Sequence, residues 1–401
     1  MSTIPQSPDD VVILGARRTP QGKLLGQLAD LSAVDLGAAA IAAAVESAGV
    51  EPEDIQHVAL GQVLLADAGQ NPARQAAVKA GLPLTTGATT VNRVCLSGLD
   101  AVIQATRMIR AGELDVAVAA GQESMTNAPH VVSGSRKGRA YGAMQMLDTL
   151  ERDALTDAFN GESMGVNSDR GNAERGITRT EQDEVAAQSH QRAAKAWEEG
   201  VFDEEIVEIS IPQRKGDPVV VREDQGIRPQ TTVESLAKLR PAFSKDESAT
   251  ITAGNSSPIS DGAAAVVIAR RSWAEERGLE PLATIGASGA VAGPDTSLHS
   301  QPSNAIKAAL ARGGWDVADL DFIEINEAFG SVAVQSLKDL DYPLEKTNIH
   351  GGAIALGHPV GASGCRLVVH AAHELARRGE GKAAVALCGG GGQGDALLIY
   401  K

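Results

Sequence analysis

The chain has 401 residues, 43% of them hydrophobic, and a formal net charge of −15 with no long basic run. The length allows two or three domains, and the charge argues against nucleic acid or an anionic membrane surface as the main partner. Three cysteines far apart in sequence, Cys95, Cys365 and Cys388, argue against a disulfide framework.

The ends of the chain carry no recognisable targeting signal. The first residues, "MSTIPQSPDD", are polar and acidic, and the final "LLIYK" is not a peroxisomal address. No apolar run approaches the roughly 18 residues that a membrane span requires. We therefore expect a cytoplasmic protein without a membrane partner.

The first part of the chain alternates predicted helices and strands. An Ala-rich helix is followed by an acidic turn and the strand "DIQHVALGQV", and then by the β-branched strand "GATTVNRV". Apolar residues at helical spacing begin directly afterwards, so Cys95 of "NRVCLSGLD" lies at a strand-to-helix turn. A helix start can lower the pKa of a thiol from about 8.5 and make it a nucleophile. A buried structural cysteine is the alternative interpretation.

The middle of the chain has a different character. From Ser124 to Ala253 it contains the basic segment "SGSRKGRAYG", a long helical pattern and loops rich in proline and charge, which we interpret as an inserted loop domain. Residues Thr250–Ala269 return to a strand-and-glycine pattern and are expected to re-enter the first sheet.

The last part of the chain repeats the first. Ser97–Glu123 and Ser363–Gly390 each read as Ser-Gly, an amphipathic helix, a glycine stop and an apolar strand. Two similar α/β halves are therefore expected to pack together, with sites near their interface. In this frame His358 stands close to the position that Cys95 holds in its own half, and an imidazole within reach is what activates a thiol. A histidine after glycine can equally be structural.

Three further motifs have competing interpretations. "CGGGGQGD" matches a dinucleotide fingerprint but opens no helix, so its glycines are better suited to presenting N–H groups to a ligand oxygen. "NEAF" ends a strand, where Asn326 could hold a turn or anchor a ligand, and Glu327 is a general base by type only. His370 and His373 lack further ligands nearby, and we predict that they lie on the helix surface or at an interface, with no metal bound.

Together these motifs resemble the thiolase family. They are Cys95 in "NRVCLSGLDA", then "GQESM", "GNSSPISDGAA", "NEAF", "GGAIALGHPVGASG" and "CGGGGQG", in family order across essentially the whole chain. Among the branches of the family, they are similar to the biosynthetic acetyl-CoA acetyltransferases, particularly those of actinobacteria. The resemblance implies an α/β fold with a duplicated five-layered α/β/α/β/α body, an inserted loop domain and a homodimer or homotetramer.

The resemblance also implies domain boundaries. We expect an N-terminal half over residues 1–123 that is completed by 254–275, and a C-terminal half over 276–401. Between them, residues 124–253 would form the loop domain, which carries coenzyme A binding and oligomer contacts.

The resemblance implies a role for each active-site residue. Cys95 matches the acyl-accepting nucleophile, His358 its base, and Cys388 the second cysteine, which moves the α-proton of acetyl-CoA. Asn326 matches the residue that holds a water in a first oxyanion hole shared with His358. The N–H groups of Cys95 and Gly390 would form the second hole.

Coenzyme A is implied as a substrate, with no permanently bound cofactor. The matching positions are Leu155, Met164, Arg228, Ser235, Ala253, Gly254, Ser257, Ala328 and Phe329. The basic residues Arg136, Lys137 and Arg139 could approach the phosphates, line a tetramer contact or form a solvated loop.

Two departures and three alternatives remain open. Ser163 stands where many short-chain members have His, and His350 where Asn is frequent. The expected reaction joins two acetyl-CoA into acetoacetyl-CoA and CoA, or runs in reverse. A degradative 3-ketoacyl-CoA thiolase of broader chain length is the alternative. Cys388 speaks against a ketoacyl synthase, and the retention of Cys95, His358 and Cys388 speaks against a non-catalytic scaffold.

Overall fold

The computed structural model describes residues 6–401. The first five residues lie outside this range. The prediction about targeting signals in the N-terminal segment falls partly on these residues. No helix within the described range has both the length and the apolar character to cross a membrane.

The described residues alternate strands and helices along the chain. The strands are β1 Val11–Arg18, β2 Gly22–Lys23, β3 His57–Gly61, β4 Gly87–Val91, β5 Val116–Ser124, β6 His130–Val131, β7 Leu147–Asp148, β8 Ile209–Ile211, β9 Val219–Val221, β10 Ser260–Arg270, β11 Ala283–Ala292, β12 Phe322–Ile325, β13 Lys382–Gly389 and β14 Gln393–Tyr400. The α-helices are α1 Ala33–Ala48, α2 Pro72–Lys79, α3 Ser97–Arg110, α4 Met164–Arg175, α5 Arg179–Glu198, α6 Val233–Leu236, α7 Arg271–Glu275, α8 Gln301–Gly313, α9 Gly330–Leu340, α10 Ala353–Leu356 and α11 Ser363–Arg378.

One large mixed sheet runs through the molecule in the order β12-β13-β14-β11-β1-β10-β5-β3-β4, and β2 pairs with β10. The β3 pairings with β4 and β5 are parallel, as is β12 with β13, and the other pairings in the sheet are antiparallel. The two halves have the same internal order, since β3-β5-β10-β1 corresponds to β12-β13-β14-β11. They meet where β1 pairs with β11 through Val11↔Ile285.

Helices cover both half-sheets and fill the space between them. Helices α3 and α11 lie in the middle, in a core that also draws on both half-sheets. Helices α1 and α2 pack on the outer face of the first half-sheet, and α8 on the outer face of the second. The resulting α/β/α/β/α order confirms the predicted thiolase fold.

The packing explains why aromatic residues are scarce. The central core consists of Ala, Val, Leu and Ile with Phe322 and the buried thiol of Cys365. Small side chains on both sheet faces let the layers approach closely, and the buried strands therefore read as nearly continuous apolar runs.

Candidate active site

Cys95 lies in a strained turn between β4 and α3. Val94 adopts a left-handed φ of +52°, which costs a β-branched residue on the order of 1–3 kcal/mol. The turn is held by the N–H of Leu96, which donates to the carbonyl of Arg93 at 3.2 Å. The hydroxyl of Ser97 accepts from the Arg93 N–H at 2.9 Å and donates to the Val94 carbonyl at 2.6 Å. A turn fixed in this way determines where the sulfur of Cys95 points.

The two predicted turns approach each other because the helices that follow them cross without side chains between them. A methyl group on Gly98 of α3 would lie 2.9 Å from the backbone nitrogen of Cys365, and one on Gly364 of α11 would lie 2.7 Å from Cβ of Leu99. Only glycine permits this contact at both positions. The Ser-Gly pair at the start of each copy is therefore explained by close packing of α3 against α11.

Cys95 also meets the glycine turn that joins β13 to β14. The N–H of Gly390 lies near enough to the sulfur of Cys95 to lower the pKa of that thiol, and Cys388, at the end of β13, lies close enough for its charge to interact with that of Cys95. A side chain at Gly390 would contact Val94, at 3.4 Å from its Cγ1. Two cysteines and one N–H donor thus come together at the boundary between the halves.

The expected lowering of the thiol pKa at the helix start is wrong. Burial raises the pKa of Cys95 to about 11, against the Gly390 N–H and the backbone N–H of Cys95, which lower it. Desolvation outweighs these donors because the thiol packs against an apolar cluster that includes Met125 and Val360. Burial likewise raises the pKa of Cys388. Both sulfurs therefore rest as thiols and need a base.

His358 is buried, and its environment selects one tautomer. Its Nδ1 lies 2.6 Å from the hydroxyl of Ser363, whose own hydrogen is directed to the carbonyl of Pro359 at 2.9 Å. Ser363 must therefore accept from Nδ1–H, which leaves Nε2 as the free base. Burial, and secondly the charge of Arg366, lower the pKa of His358 to about 3. The imidazole is neutral at physiological pH, as a proton acceptor must be.

Asn326 follows β12 and faces His358. Its amide nitrogen lies 3.3 Å from Nε2 of His358, and its Oδ1 is buried without a hydrogen-bond partner among the described residues. Its neighbour Glu327 cannot serve readily as a base, because its carboxylate accepts hydrogen bonds from Ser189 at 2.7 Å, Asn348 at 2.8 Å and the N–H of Ile354 at 3.0 Å.

Glu123 is a residue whose position at the site the sequence did not reveal. It is the penultimate residue of β5, and its carboxylate accepts hydrogen bonds from the N–H groups of Val63 at 2.9 Å, Leu64 at 3.2 Å and Gly361 at 3.0 Å. It thereby ties the loop that carries His358 to the first half-sheet. Burial raises its pKa to about 7, and its charge raises the pKa of Cys95. The sequence feature that could have identified Glu123 is its charge, which is unusual in the apolar strand that leads into "GQESM".

Two cavities lie beside these residues. One, of about 280 Å³, is lined by Arg228, Ala253 and Gly254 together with Lys23 and His190. Burial, with Arg228 and Lys23 nearby, lowers the pKa of His190 to about 4, so its imidazole is neutral between two cations. The other cavity, of about 900 Å³, is lined by residues that include Val94, Met164 and Gly390.

Comparison with known proteins decides the family. The description "Thiolase, N-terminal domain" matches residues 11–272, and "Thiolase, C-terminal domain" matches residues 279–401. The chain belongs to the thiolase family. A probable acetyl-CoA acetyltransferase of Mycolicibacterium smegmatis is 57% identical over 97% of this chain and 100% of its own length. Its Mycobacterium tuberculosis counterpart is 54% identical over 97% of this chain and 98% of its own. The acetyl-CoA acetyltransferase of Cupriavidus necator is 49% identical over 98% and 99%.

Four of the other positions expected to contact coenzyme A lie in the apolar clusters that include the cysteines. Met164, Ala328 and Phe329 pack in one apolar cluster with Cys388, and Leu155 packs in the cluster that touches Cys95. Ser257 is held by Ala328, whose carbonyl accepts from its N–H at 3.1 Å and its hydroxyl at 3.0 Å. Ser235 lies in α6 and caps that helix together with Thr232.

The remaining sequence features of this thiolase take up different positions. Arg136, Lys137 and Arg139 lie in an exposed loop segment. Ser163 caps α4 by accepting from the N–H of Val166 at 3.3 Å. His350 contacts His370 at 3.1 Å between Nδ1 and Nε2.

His370 and His373 were predicted to lie on the helix surface or at an interface, and the surface alternative is wrong. Both are buried. His370 is paired with Glu205 at 2.9 Å, and Nε2 of His373 lies 2.8 Å from the carbonyl of Ala16. Residues Ser363 to Leu375 of helix α11 are all buried in the middle layer of the molecule, so even their polar side chains face protein. No group of three or more potential metal ligands occurs within residues 6–401.

Proposed function

We propose that the chain is an acetyl-CoA C-acetyltransferase, which joins two acetyl-CoA molecules into acetoacetyl-CoA and CoA and also runs the reverse thiolysis. The observation that carries this proposal is the proximity of two thiols, Cys95 and Cys388, beside the glycine turn that contains Gly390. Relatives 45–57% identical over almost the whole chain are named acetyl-CoA acetyltransferases or probable ones.

The first half-reaction acylates Cys95. Nε2 of His358 takes the thiol proton, and the sulfur attacks the carbonyl carbon of acetyl-CoA. Because Cys95 has a pKa of about 11 and His358 of about 3, a stable thiolate–imidazolium pair is unfavourable. We infer that proton transfer accompanies the attack. The tetrahedral intermediate then expels the CoA sulfur and leaves acetyl-Cys95.

The second half-reaction forms the carbon–carbon bond. Cys388 gives its proton to the departing CoA sulfur and becomes a thiolate, which then takes the α-proton of a second acetyl-CoA. The resulting enolate attacks the carbonyl of acetyl-Cys95, and collapse releases acetoacetyl-CoA and the Cys95 thiolate. His358 returns its proton to Cys95. The burial that raises the pKa of Cys388 makes its thiolate a stronger base.

Two sets of donors stabilise the negative oxygens of these steps. The N–H of Gly390, together with that of Cys95, would bind the oxyanion formed on acetyl-Cys95. His358 and Asn326 would bind the enolate oxygen, with a water held by the unpartnered amide oxygen of Asn326. One fixed donor of this kind contributes on the order of 3 kcal/mol to transition-state stabilisation.

Coenzyme A is proposed to bind along the cavity that contains Arg228, Ala253 and Gly254. Lys23 and Arg228 give this acidic protein a local positive field, which favours binding of the phosphates of coenzyme A. The other proposed contacts are Leu155, Met164, Ser235, Ser257, Ala328 and Phe329.

The domain roles are also part of the proposal. A loop domain over residues 124–253 would carry most of the coenzyme A contacts. It would also carry the contacts of a homodimer or tetramer, with the exposed Arg136, Lys137 and Arg139 at one of these surfaces.

A degradative 3-ketoacyl-CoA thiolase is the second candidate, favoured by one observation. The cavity of about 900 Å³ beside Gly390 and Met164 has room for acyl groups longer than acetyl, and Ser163 offers less bulk than the histidine of many short-chain members. Thiolysis rates for 3-ketoacyl-CoA esters of increasing length separate the candidates. We expect the acetoacetyl ester to be preferred, and a maximum at medium or long chains would assign the degradative activity.

The two-cysteine mechanism is tested by separating its half-reactions. Cys388→Ala should still form acetyl-Cys95, detected by peptide mass, because CoA can leave as a thiolate without a proton from Cys388. It should fail to condense and should not exchange acetyl α-protons with deuterated solvent. Loss of a positioned base costs about 10²–10⁴ in rate. His358→Ala should impair both half-reactions.

Cys365→Ala is the matched control, because Cys365 is a buried thiol directed at the carbonyl of Ala119, at 3.6 Å. Its turnover should be nearly that of wild type. Condensation by Cys388→Ala at the wild-type rate would refute the role of the second cysteine. An acetyl group on Cys365 or Cys388 at equilibrium, with Cys95 free, would refute the assignment of the nucleophile.

A further inference from the structure

An ion-pair cluster links the turn that contains Cys95 to the hairpin formed by β13 and β14. Nη1 of Arg93 lies 2.6 Å from Oδ2 of Asp395 and 3.0 Å from Oδ1 of Asp100. The side chain of Asp395 is fully buried and that of Asp100 nearly so, whereas 30% of the Arg93 side chain is exposed. The proposed reaction leaves these three charged groups without a role.

On one side, the cluster is attached to the glycine turn. Asp395 belongs to β14 and pairs with Leu387 of β13, next to the pair Cys388↔Gly394. The carboxylate therefore projects from the hairpin whose tip carries Gly390. Only a few residues of paired backbone separate Asp395 from Gly390. A displacement of Asp395 would therefore also move the N–H of Gly390.

On the other side, the cluster is attached to the turn of the nucleophile. Arg93 precedes Val94, whose left-handed backbone at φ +52° is maintained by its surroundings. Both backbone groups of Arg93 take part in the turn, through Ser97 at 2.9 Å and Leu96 at 3.2 Å. The guanidinium therefore anchors a segment that would otherwise relax.

We propose that Arg93 and Asp395 are positioning residues whose ion pair holds the Cys95 turn against the glycine turn. The sulfur of Cys95 thereby stays beside the N–H of Gly390. This inference rests on the proposed function, because it assigns the pair an effect on the acylation of Cys95. Neither residue touches the reacting atoms.

The geometry has a consequence for pH dependence. The charged groups that face Asp395 are Arg93, Asp100 and Arg107, and burial raises the pKa of Asp395 to about 6 in spite of the two arginines. Protonation below this value removes the charge that Arg93 pairs with. The acetylation rate should therefore fall as the pH drops through about 6. Glu123, with a pKa of about 7, titrates nearby, so comparison with a variant is needed to identify the group.

The test measures single-turnover acetylation of Cys95 by acetyl-CoA from pH 5 to 8 in wild type and Asp395→Asn. We expect acetylation at pH 8 to be about 10- to 100-fold slower in the variant, since small displacements of reacting groups cost this much. The KM for acetoacetyl-CoA should change little, and the wild-type inflection near pH 6 should be absent. Arg93→Gln should behave like Asp395→Asn, and Arg93→Lys should recover part of the rate.

The matched control is Asp115→Asn. Asp115 pairs with Arg270 at 3.2 Å and precedes β5, at the end of that strand opposite to Glu123. It should acetylate at the wild-type rate with an unchanged pH profile.

Three outcomes would overturn the proposal. The first is acetylation of Cys95 in Asp395→Asn at the wild-type rate. The second is an inflection near pH 6 that persists in the pH profile of this variant. The third is a variant that loses thermal stability but keeps the wild-type acetylation rate. If Asp395→Asn fails to fold, Arg93→Gln is the deciding variant, because the Arg93 side chain is partly exposed and its replacement is less disruptive. Acetylation of Arg93→Gln at the wild-type rate would then refute the inference. Failure of the proposed function is distinguishable, because wild type itself would then form no acetyl-Cys95.

Discussion

Replacing Ser363 with alanine tests whether the tautomer of His358 is fixed by its neighbour. The Ser363 hydroxyl accepts from Nδ1–H of His358 at 2.6 Å while it donates to the carbonyl of Pro359 at 2.9 Å. In Ser363→Ala the Nδ1–H loses its acceptor in a buried site. The ring can avoid this only by moving its hydrogen to Nε2, where it is no longer a base for Cys95.

The magnitude follows from either alternative. A buried donor left without a partner costs about 1–3 kcal/mol, and about 1.4 kcal/mol corresponds to a factor of ten in rate. Acetylation of Cys95 should therefore slow by about 5- to 150-fold. The KM for the CoA ester should stay near the wild-type value, because Ser363 does not line the cavity that contains Arg228.

The assay is rapid quenching of enzyme mixed with acetyl-CoA, followed by mass analysis of the peptide that contains Cys95. Ser336→Ala is the control, since Ser336 is equally buried and its hydroxyl donates to the carbonyl of His299 at 3.0 Å in the outer helix layer. Ser363→Ala acetylating as fast as Ser336→Ala would refute the tautomer argument.

Two further changes probe the substrate cavity and the buried carboxylate. Arg228→Ala should raise the KM for acetyl-CoA about three- to ten-fold, less at high salt, with kcat nearly unchanged, because an exposed cation contributes modestly to binding. Steady-state kinetics at two ionic strengths measures this, and a fall in kcat alone would contradict it. Glu123 has its pKa raised from 4.5 to about 7, so the stability it contributes is present below pH 4.5 and is lost as pH rises through 7. The free energy of unfolding of Glu123→Gln should therefore fall less than that of wild type between pH 4.5 and 8, by on the order of 3 kcal/mol. Urea unfolding at several pH values checks this, and parallel pH profiles would refute it.

The opposed pKa shifts of the cysteine and the histidine have a common cause. Burial disfavours charge on both groups, raising the pKa of Cys95 and lowering that of His358. The neutral pair is therefore the resting state, and charge develops only when donors such as the Gly390 N–H can stabilise it. Acetylation should consequently depend on fixed donors more than on a preformed thiolate.

Local sequence patterns were enough to predict the fold and the candidate nucleophile. The repeated order of Ser-Gly, helix, glycine stop and apolar strand is a local pattern, and each copy forms α3–β5 or α11–β13 with the predicted order of elements. The turn at Cys95 was predictable for the same reason, because strand and helix periodicities meet there.

The environment of those residues depends on segments that meet only in the folded chain. The pKa of Cys95 depends on burial against Met125 and Val360, which are distant in sequence, so the helix-start argument gave the wrong direction. A surface position for His370 and His373 was wrong for a similar reason, since α11 is enclosed by both half-sheets.

The contacts that hold the two turns of the site in place could not be predicted from the sequence either. Glu123 with Gly361 and Arg93 with Asp395 join residues separated by 238 and 302 positions. Periodicity and turn chemistry report on neighbours within a few residues. Desolvation and ion pairing are set by whichever segments the folded chain brings together, and these are determined only when the two halves pack.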